Sequence, residues 1–220
     1  MKGIQRVPRK VALALPNLRL STHPLVGVML TKLRDKNLSP EDFRRLVNRI
    51  TTLLIAEATA DLRVVPFTVR TPLAKYVGQT LAQQVGFVPI IRAGLGMVHP
   101  ALELVPTAQV WMLGLYRNEQ TLQPVPYYCK LPAAPTADVY YILDPMLATG
   151  GSAVDAVRVV QKYGKPMKFV GLIAAPEGVF RLATEYPDIM IHIGALDSHL
   201  NKRGYIVPGL GDAGDRIFNT

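Results

Sequence analysis

The sequence has little cysteine, no long apolar runs and, over its first 34 positions, no acids. Cys129 is the only cysteine, so no intramolecular disulfide can form, which fits a reducing cytoplasm. No uncharged apolar stretch approaches the roughly 20 residues that a membrane-spanning helix needs. Val11-Ala12-Leu13-Ala14-Leu15 is cut short by Pro16 and falls below the about 7–15 residues of a secretory apolar segment, so no targeting signal is read. His23, His99, His192 and His199 are scattered and form no cluster with the lone cysteine. A zinc site is therefore not expected, and each histidine is assigned a structural role. Internal repeats, low-complexity segments and an interdomain linker are also absent.

A chain of 220 residues suffices for one α/β domain with a small appendage, and 49% hydrophobic residues can build a sizeable core. Charged residues make up 19%, which argues against disorder and mildly for a buried subunit interface. The net charge of +9 raises the question of nucleic acid. Its distribution answers it. Lys2, Arg6, Arg9, Lys10, Arg19, Lys32 and Arg34 precede the first acid, Asp35; beyond that point basic and acidic residues nearly balance. The basicity belongs to an N-terminal extension, and nucleic acid is not the expected partner.

Residues 1–20 contain Pro8 and Pro16, lack a clear period, and read as an extended arm before a single domain, 21–220. Ser39-Pro40-Glu41-Asp42 is a helix start, with Phe43, Leu46, Val47, Ile50, Leu53 and Leu54 at helical spacing over about 40–59. Residues 61–80 suit a small antiparallel flap. Val85–Ile91, Gln109–Leu115, Val139–Leu143, Phe169–Ala174 and Ile189–Ile193 are continuous apolar runs, expected as core strands. Helices are expected at about 97–104, 151–163 and 177–185, and Val125–Lys130 as a strand outside the main sheet. Short apolar strands alternating with helices predict an α/β fold, a parallel sheet covered on both faces. Gly204–Asp215, half Gly and Asp, is expected to be a loop rather than a core element.

The chemistry concentrates after Val139–Leu143. Asp144-Pro145-Met146-Leu147-Ala148-Thr149-Gly150-Gly151-Ser152 joins a strand to a helix. In parallel sheets ligands bind at the carboxyl ends of strands, and a helix N-terminus offers free N–H groups to a phosphate. Gly150 and Gly151 allow close backbone approach, Thr149 and Ser152 supply hydroxyls, and Asp144 can accept from ribose hydroxyls. The loop is neither a Walker loop nor a dinucleotide fingerprint, and an ordinary capped turn is the plainer alternative.

DPMLATGGS resembles the loop with which uracil phosphoribosyltransferases, a branch of the type I phosphoribosyltransferases, bind 5-phosphoribosyl 1-diphosphate (PRPP). The resemblance extends to His23-Pro24-Leu25, Glu57–Leu62, Pro89–Met97, Tyr116–Thr121, Ala174–Gly178 and Gly204–Arg216. Type I enzymes in general carry two adjacent acids before the loop; here Pro145 follows Asp144, as in the uracil-specific branch. The resemblance implies a phosphoribosyltransferase fold and the joining of uracil to PRPP. It implies that residues 144–152, Arg92, Arg117 and Asp212 meet PRPP, with Asp144, Arg117 and Asp212 nearest the chemistry. The two arginines suit a diphosphate leaving group, because a guanidinium fork matches phosphate oxygens. It implies that Ile206, Gly211, Asp212 and Ala213 surround uracil, whose acceptor–donor–acceptor edge an extended glycine-rich backbone can answer. It also implies Mg²⁺ carried mainly by PRPP, a homodimer or homotetramer, and GTP activation as in some members, although no GTP site is legible. Gly27-Val28-Met29 depart from the polar or basic residues common after His-Pro-Leu, while Arg34 and Asp35 are kept. The alternative function is an RNA-binding pyrimidine regulator on the same fold.

Overall fold

The computed structural model describes residues 8–117, 124–129 and 131–220; for 115–117, 124–127 and 129 it describes backbone only. The residues expected as an extended arm are partly structured. Arg9–Leu13 form a short helix (α1), and Leu18–Leu20 (β1) join the main sheet beside Met190–Leu196 (β11). A helix that the sequence did not announce, Pro24–Leu33 (α2), follows, with Pro24 opening it and the His23 Nδ1 accepting from the Leu25 N–H at 3.2 Å. Pro40–Ala58 (α3) begins as expected: Ser39 Oγ accepts from the Asp42 N–H at 3.1 Å, satisfying an amide with no helical partner.

Val64–Arg70 (β2) and Lys75–Leu81 (β3) form the antiparallel flap, paired among the described residues only with each other. Val85–Ile91 (β4) runs into a 3₁₀ turn, Ala93–Met97, and Val98–Leu104 (α4). The single strand expected over Gln109–Leu115 is two, Gln109–Val110 (β5) and Leu113–Arg117 (β6), broken at Trp111-Met112. Pro124–Cys129 (β7) pairs antiparallel with β6, so it is the sheet's edge rather than a strand apart. The remaining elements are Val139–Leu143 (β8), Met146–Leu147 (β9), Gly151–Val160 (α5), Met167–Ala174 (β10), Pro176–Glu185 (α6), β11, His199–Leu200 (β12), Ile206–Val207 (β13) and Ala213–Phe218 (α7).

The main path of the sheet runs β1-β11-β10-β8-β4-β6-β7 and is parallel up to β7. Alternation along each strand sorts the core into two layers. Val85, Phe87, Tyr141, Leu143 and Val170 pack under α2, α3 and α7. Val88, Ile90, Tyr140, Ile142 and Phe169 pack under α1, α5 and α6. Leu210, Ala213 and Ile217 are buried in the first layer, so the C-terminal segment is not purely a surface loop: its apolar residues hold it against α3.

From β4 the chain steps outward to β6 and β7, returns to β8, and then proceeds the other way to β10 and β11. The strand order therefore reverses between β4 and β8. A crevice outside the carboxyl ends of these two strands is the place where an open α/β sheet binds ligands. No helix among the described residues is long and apolar enough to cross a membrane.

Candidate active site

Asp144 directly follows β8, and its Oδ1 accepts from the Met146 N–H at 3.2 Å. Pro145 removes one donor, and the chain then turns so that β9 pairs with β10. The Pro145 carbonyl accepts from the amides of Leu172 and Ile173 at 3.0 and 3.1 Å, and the Leu147 carbonyl from that of Ala175 at 3.0 Å. Gly150 caps α5 at φ +78°, a conformation that disfavours any side chain. Thr149 Oγ1 accepts from the Gly151 N–H at 3.5 Å, and Ser152 is exposed at the start of α5. The Gly150 carbonyl accepts from the Val154 amide at 2.9 Å, starting the α5 hydrogen-bond ladder. Residues 148–152 thus combine an open amide run with the positive end of a ten-residue helix.

Burial pushes the Asp144 carboxyl up to about 7 from its ordinary 3.8; the Met146 amide opposes this and the Asp212 charge adds to it. Asp212 therefore lies within electrostatic reach of Asp144, although 68 positions separate them in the chain.

Arg92 follows β4 across a cis peptide from Ile91. Gly94 packs so tightly that a Cβ there would overlap the Leu143 carbonyl oxygen, which joins the end of β4 to the end of β8. The Arg92 Nη2 donates to Asp215 Oδ1 at 3.1 Å, and both side chains are about half exposed. These contacts bring Arg92, Asp144 just after β8, and Asp212–Asp215 near one another. Arg117 ends β6, the neighbour of β4, but its side chain, with residues 118–121 of the Tyr116–Thr121 motif, lies outside the described residues.

The glycine-rich segment leads into Asp212. Ile206 is buried, Gly209 and Gly211 have φ of +63° and +84°, and a cis peptide joins Val207 to Pro208. Asp212 caps α7, its Oδ1 accepting from the Asp215 N–H at 3.0 Å. Ala213 is buried beside it, while Gly211 and Asp212 are exposed.

The sequence profile described as uracil phosphoribosyltransferase matches residues 20–220. The chain belongs to the uracil phosphoribosyltransferase family. It is 56% identical over 202 residues to the uracil phosphoribosyltransferase of Roseiflexus castenholzii, covering 91% of this chain and 97% of that one. It is 51% identical over 200 residues to that of Geobacillus kaustophilus, at 90% and 96% coverage. Its fold is similar to that of the AQ2163 protein from Aquifex aeolicus, with a TM-score of 0.86, 38% identity, and coverage of 91% and 97%.

Glu177 and Gly178 fall in the Ala174–Gly178 motif and Arg34 is kept, but the contacts these residues make, and Arg181 and Asp197, are not legible from the sequence. Glu177, buried at the start of α6, accepts the Leu200 N–H at 3.2 Å. Gly178 lies directly under the carbonyls of Leu147 and Ala148. The Arg181 guanidinium lies beside Gly151 at the start of α5 and also pairs with Glu185 at 3.1 Å. Arg34 and Asp197, far apart in sequence, form a partly buried ion pair at 2.6 Å. Pairing across 163 positions leaves no local pattern, so only the fold reveals it.

Proposed function

We infer that the protein transfers the 5-phosphoribosyl group of PRPP to uracil, giving UMP and pyrophosphate. What supports this is membership of the family, together with the loop 144–152 following β8 and Asp212 of the glycine-rich segment within electrostatic reach of Asp144. In this reading the amides of residues 148–152 hold the 5-phosphate of the donor. Asp144, as carboxylate, accepts from the ribose hydroxyls, with Pro145, Met146 and Leu147 holding the turn. Arg92 and Arg117 face the diphosphate, whose departure from C1 leaves cationic character on the sugar. The C1–O bond breaks as C1–N1 forms, and the uracil N1 proton passes to the departing diphosphate or to water beside Asp212. Ile206, Gly211, Asp212 and Ala213 fix the base, so that catalysis rests on positioning and on stabilising the leaving group.

No group of three or more His, Cys, Asp or Glu suited to a metal occurs among the described residues. Two carboxylates, Asp144 and Asp212, approach the same crevice. That donor set fits Mg²⁺ carried mainly by substrate oxygens, which would neutralise diphosphate charge. GTP remains a proposed effector, tested by adding it to the assay. The same composition supports a cytoplasmic location.

A homodimer or homotetramer is supported by the flap. Every residue of β2 is exposed, and Val65, Phe67, Val69, Tyr76 and Val77 present apolar side chains to solvent. A lone two-stranded ribbon is marginal in water, so a second subunit is the cover this surface needs.

The test is turnover with PRPP, Mg²⁺ and a panel of bases, with products separated by chromatography. UMP from uracil is expected, with little product from cytosine, adenine or hypoxanthine. No UMP from uracil refutes the assignment. The RNA-binding alternative draws no support from the relatives, and a salt-steep gel shift with RNA would be needed to revive it.

A further inference from the structure

We propose that Arg34, through Asp197, is a positioning residue for the acceptor base, setting the shape of the segment 206–213 without touching substrate. This rests on the assignment of that segment to the base.

The geometry is specific. Arg34 caps the C-terminal end of α2, and its guanidinium engages Asp197 as a fork, Nη2 to Oδ1 at 2.6 Å and Nη1 to Oδ2 at 2.8 Å. The same Nη1 donates to the Gly209 carbonyl at 2.7 Å. Asp197 Oδ2 in turn accepts from the Gly209 N–H at 2.9 Å. Both polar backbone groups of Gly209 are therefore satisfied by one ion pair. Gly209 is the tightest point of the segment: at φ +63° it passes so close to Ile206 that a Cβ would overlap the Ile206 carbonyl oxygen. The pair thus clamps the turn between Ile206 and Gly211, two of the residues assigned to uracil.

A second arginine fixes the far side. Arg216 Nη1 donates to the carbonyls of Leu210 and Leu33 at 2.9 and 2.8 Å, and Nη2 to that of Asp35 at 2.5 Å. Its guanidinium lies over the Phe43 ring, 4.3 Å from the centroid. Between the two clamps, Gly211 has no hydrogen bond with any described residue. An unengaged, exposed glycine held between two fixed points is what a planar base with alternating donors and acceptors requires.

Asp197 is almost wholly buried, so removing its partner leaves an uncompensated carboxylate that must draw other donors or admit water. Either response moves Gly209. The donor loop would not follow, because Pro145 and Leu147 are tied to β10 and Ala175 by separate bonds. A general structural defect would weaken both substrates together; loss of a base clamp weakens one.

The experiment compares wild type, Arg34→Gln, Arg34→Lys and Asp197→Asn, varying each substrate at saturation of the other. In Arg34→Gln the KM for uracil should rise about tenfold or more, with the KM for PRPP within about twofold, as expected for losing charge-assisted bonds that act on one site. Arg34→Lys, a point charge without the fork, should fall between. Amide hydrogen exchange should quicken at residues 209–213 in Arg34→Gln and stay unchanged at 146–152. An unchanged uracil KM, or uracil and PRPP KM rising in parallel, overturns the proposal. If Arg34→Gln does not fold, the same criteria apply to Arg34→Lys. If wild type makes no UMP, the substrate assignment falls, and the comparison is made with the base that wild type accepts, or by the exchange pattern alone.

Discussion

Gly178 lies against Ala148 so closely that a methyl group on Gly178 would overlap the Ala148 carbonyl oxygen and stand 2.7 Å from that of Leu147. The start of α6 is thus the floor of the donor loop. Gly178→Ala should displace that loop, raising the KM for PRPP about tenfold or more and lowering the thermal midpoint, as overpacking against fixed backbone does. Gly27→Ala on α2, where an added Cβ meets nothing within 4 Å, is the matched control and should leave kinetics unchanged. Equal behaviour of the two variants would refute this account of the loop.

The pH response of donor binding should follow Asp144. Its carboxyl is held up to about 7, first by burial and then by the Asp212 charge, so the empty site is uncharged there in mildly acidic solution. Ribose hydroxyls and Mg²⁺ both favour the carboxylate, so the KM for PRPP should fall between pH 6 and pH 8. Asp212→Asn removes the neighbouring charge and should shift that transition to lower pH. Asp144→Asn should abolish it and cut turnover about a hundredfold.

Stability should show the opposite sign. A carboxyl whose folded value exceeds its ordinary 3.8 contributes fully below about 4, and that contribution is lost as pH rises through about 7. Replacing Asp144 by Asn should therefore raise the thermal midpoint more at pH 8 than at pH 5, as read by calorimetry. A pH-independent difference would mean that Asp144 is already ionised in the folded protein.

Arg92 and Asp215 form a half-exposed pair, the kind that contributes about 0–1 kcal/mol to folding. Arg92→Ala should leave the thermal midpoint nearly unchanged while raising the KM for PRPP about tenfold or more, because the guanidinium is available to a diphosphate. Asp215→Asn should change PRPP use far less. A large loss of stability in Arg92→Ala would assign the residue to structure instead.

Phe67→Asp in the flap should dissociate the oligomer, read by sedimentation at micromolar concentration. Phe67 is 53% exposed, so the substitution should not disturb the subunit's own core. An unaltered sedimentation coefficient in an oligomeric wild type would move the interface elsewhere.

The parts of the fold legible in the sequence were those governed by local periodicity. Val85–Ile91 and Val139–Leu143 are strands over the stretches their apolar runs mark, and Ser39-Pro40 starts α3 where its capping chemistry requires. Leu18–Leu20 was not legible, because a three-residue edge strand is set by its partner β11 rather than by its own pattern. Gly204–Asp215 reads as a loop because Gly and Asp fill half of it, yet Leu210 and Ala213, with Ile217 just beyond, bury themselves against the core. The site divided in the same way. Asp144–Ser152 is contiguous and therefore visible as a motif, whereas Arg34–Asp197 and Glu177–Leu200 exist only once the chain is folded.

The turn after Asp144 is stitched into β10, with Pro145 receiving two amides and Met146-Leu147 running as a strand. If the neighbouring amides of 148–152 hold a phosphate as proposed, the turn beside them is already fixed by the sheet, and little ordering cost is left for binding. Whatever motion accompanies a catalytic cycle must then be sought away from this rigid seat.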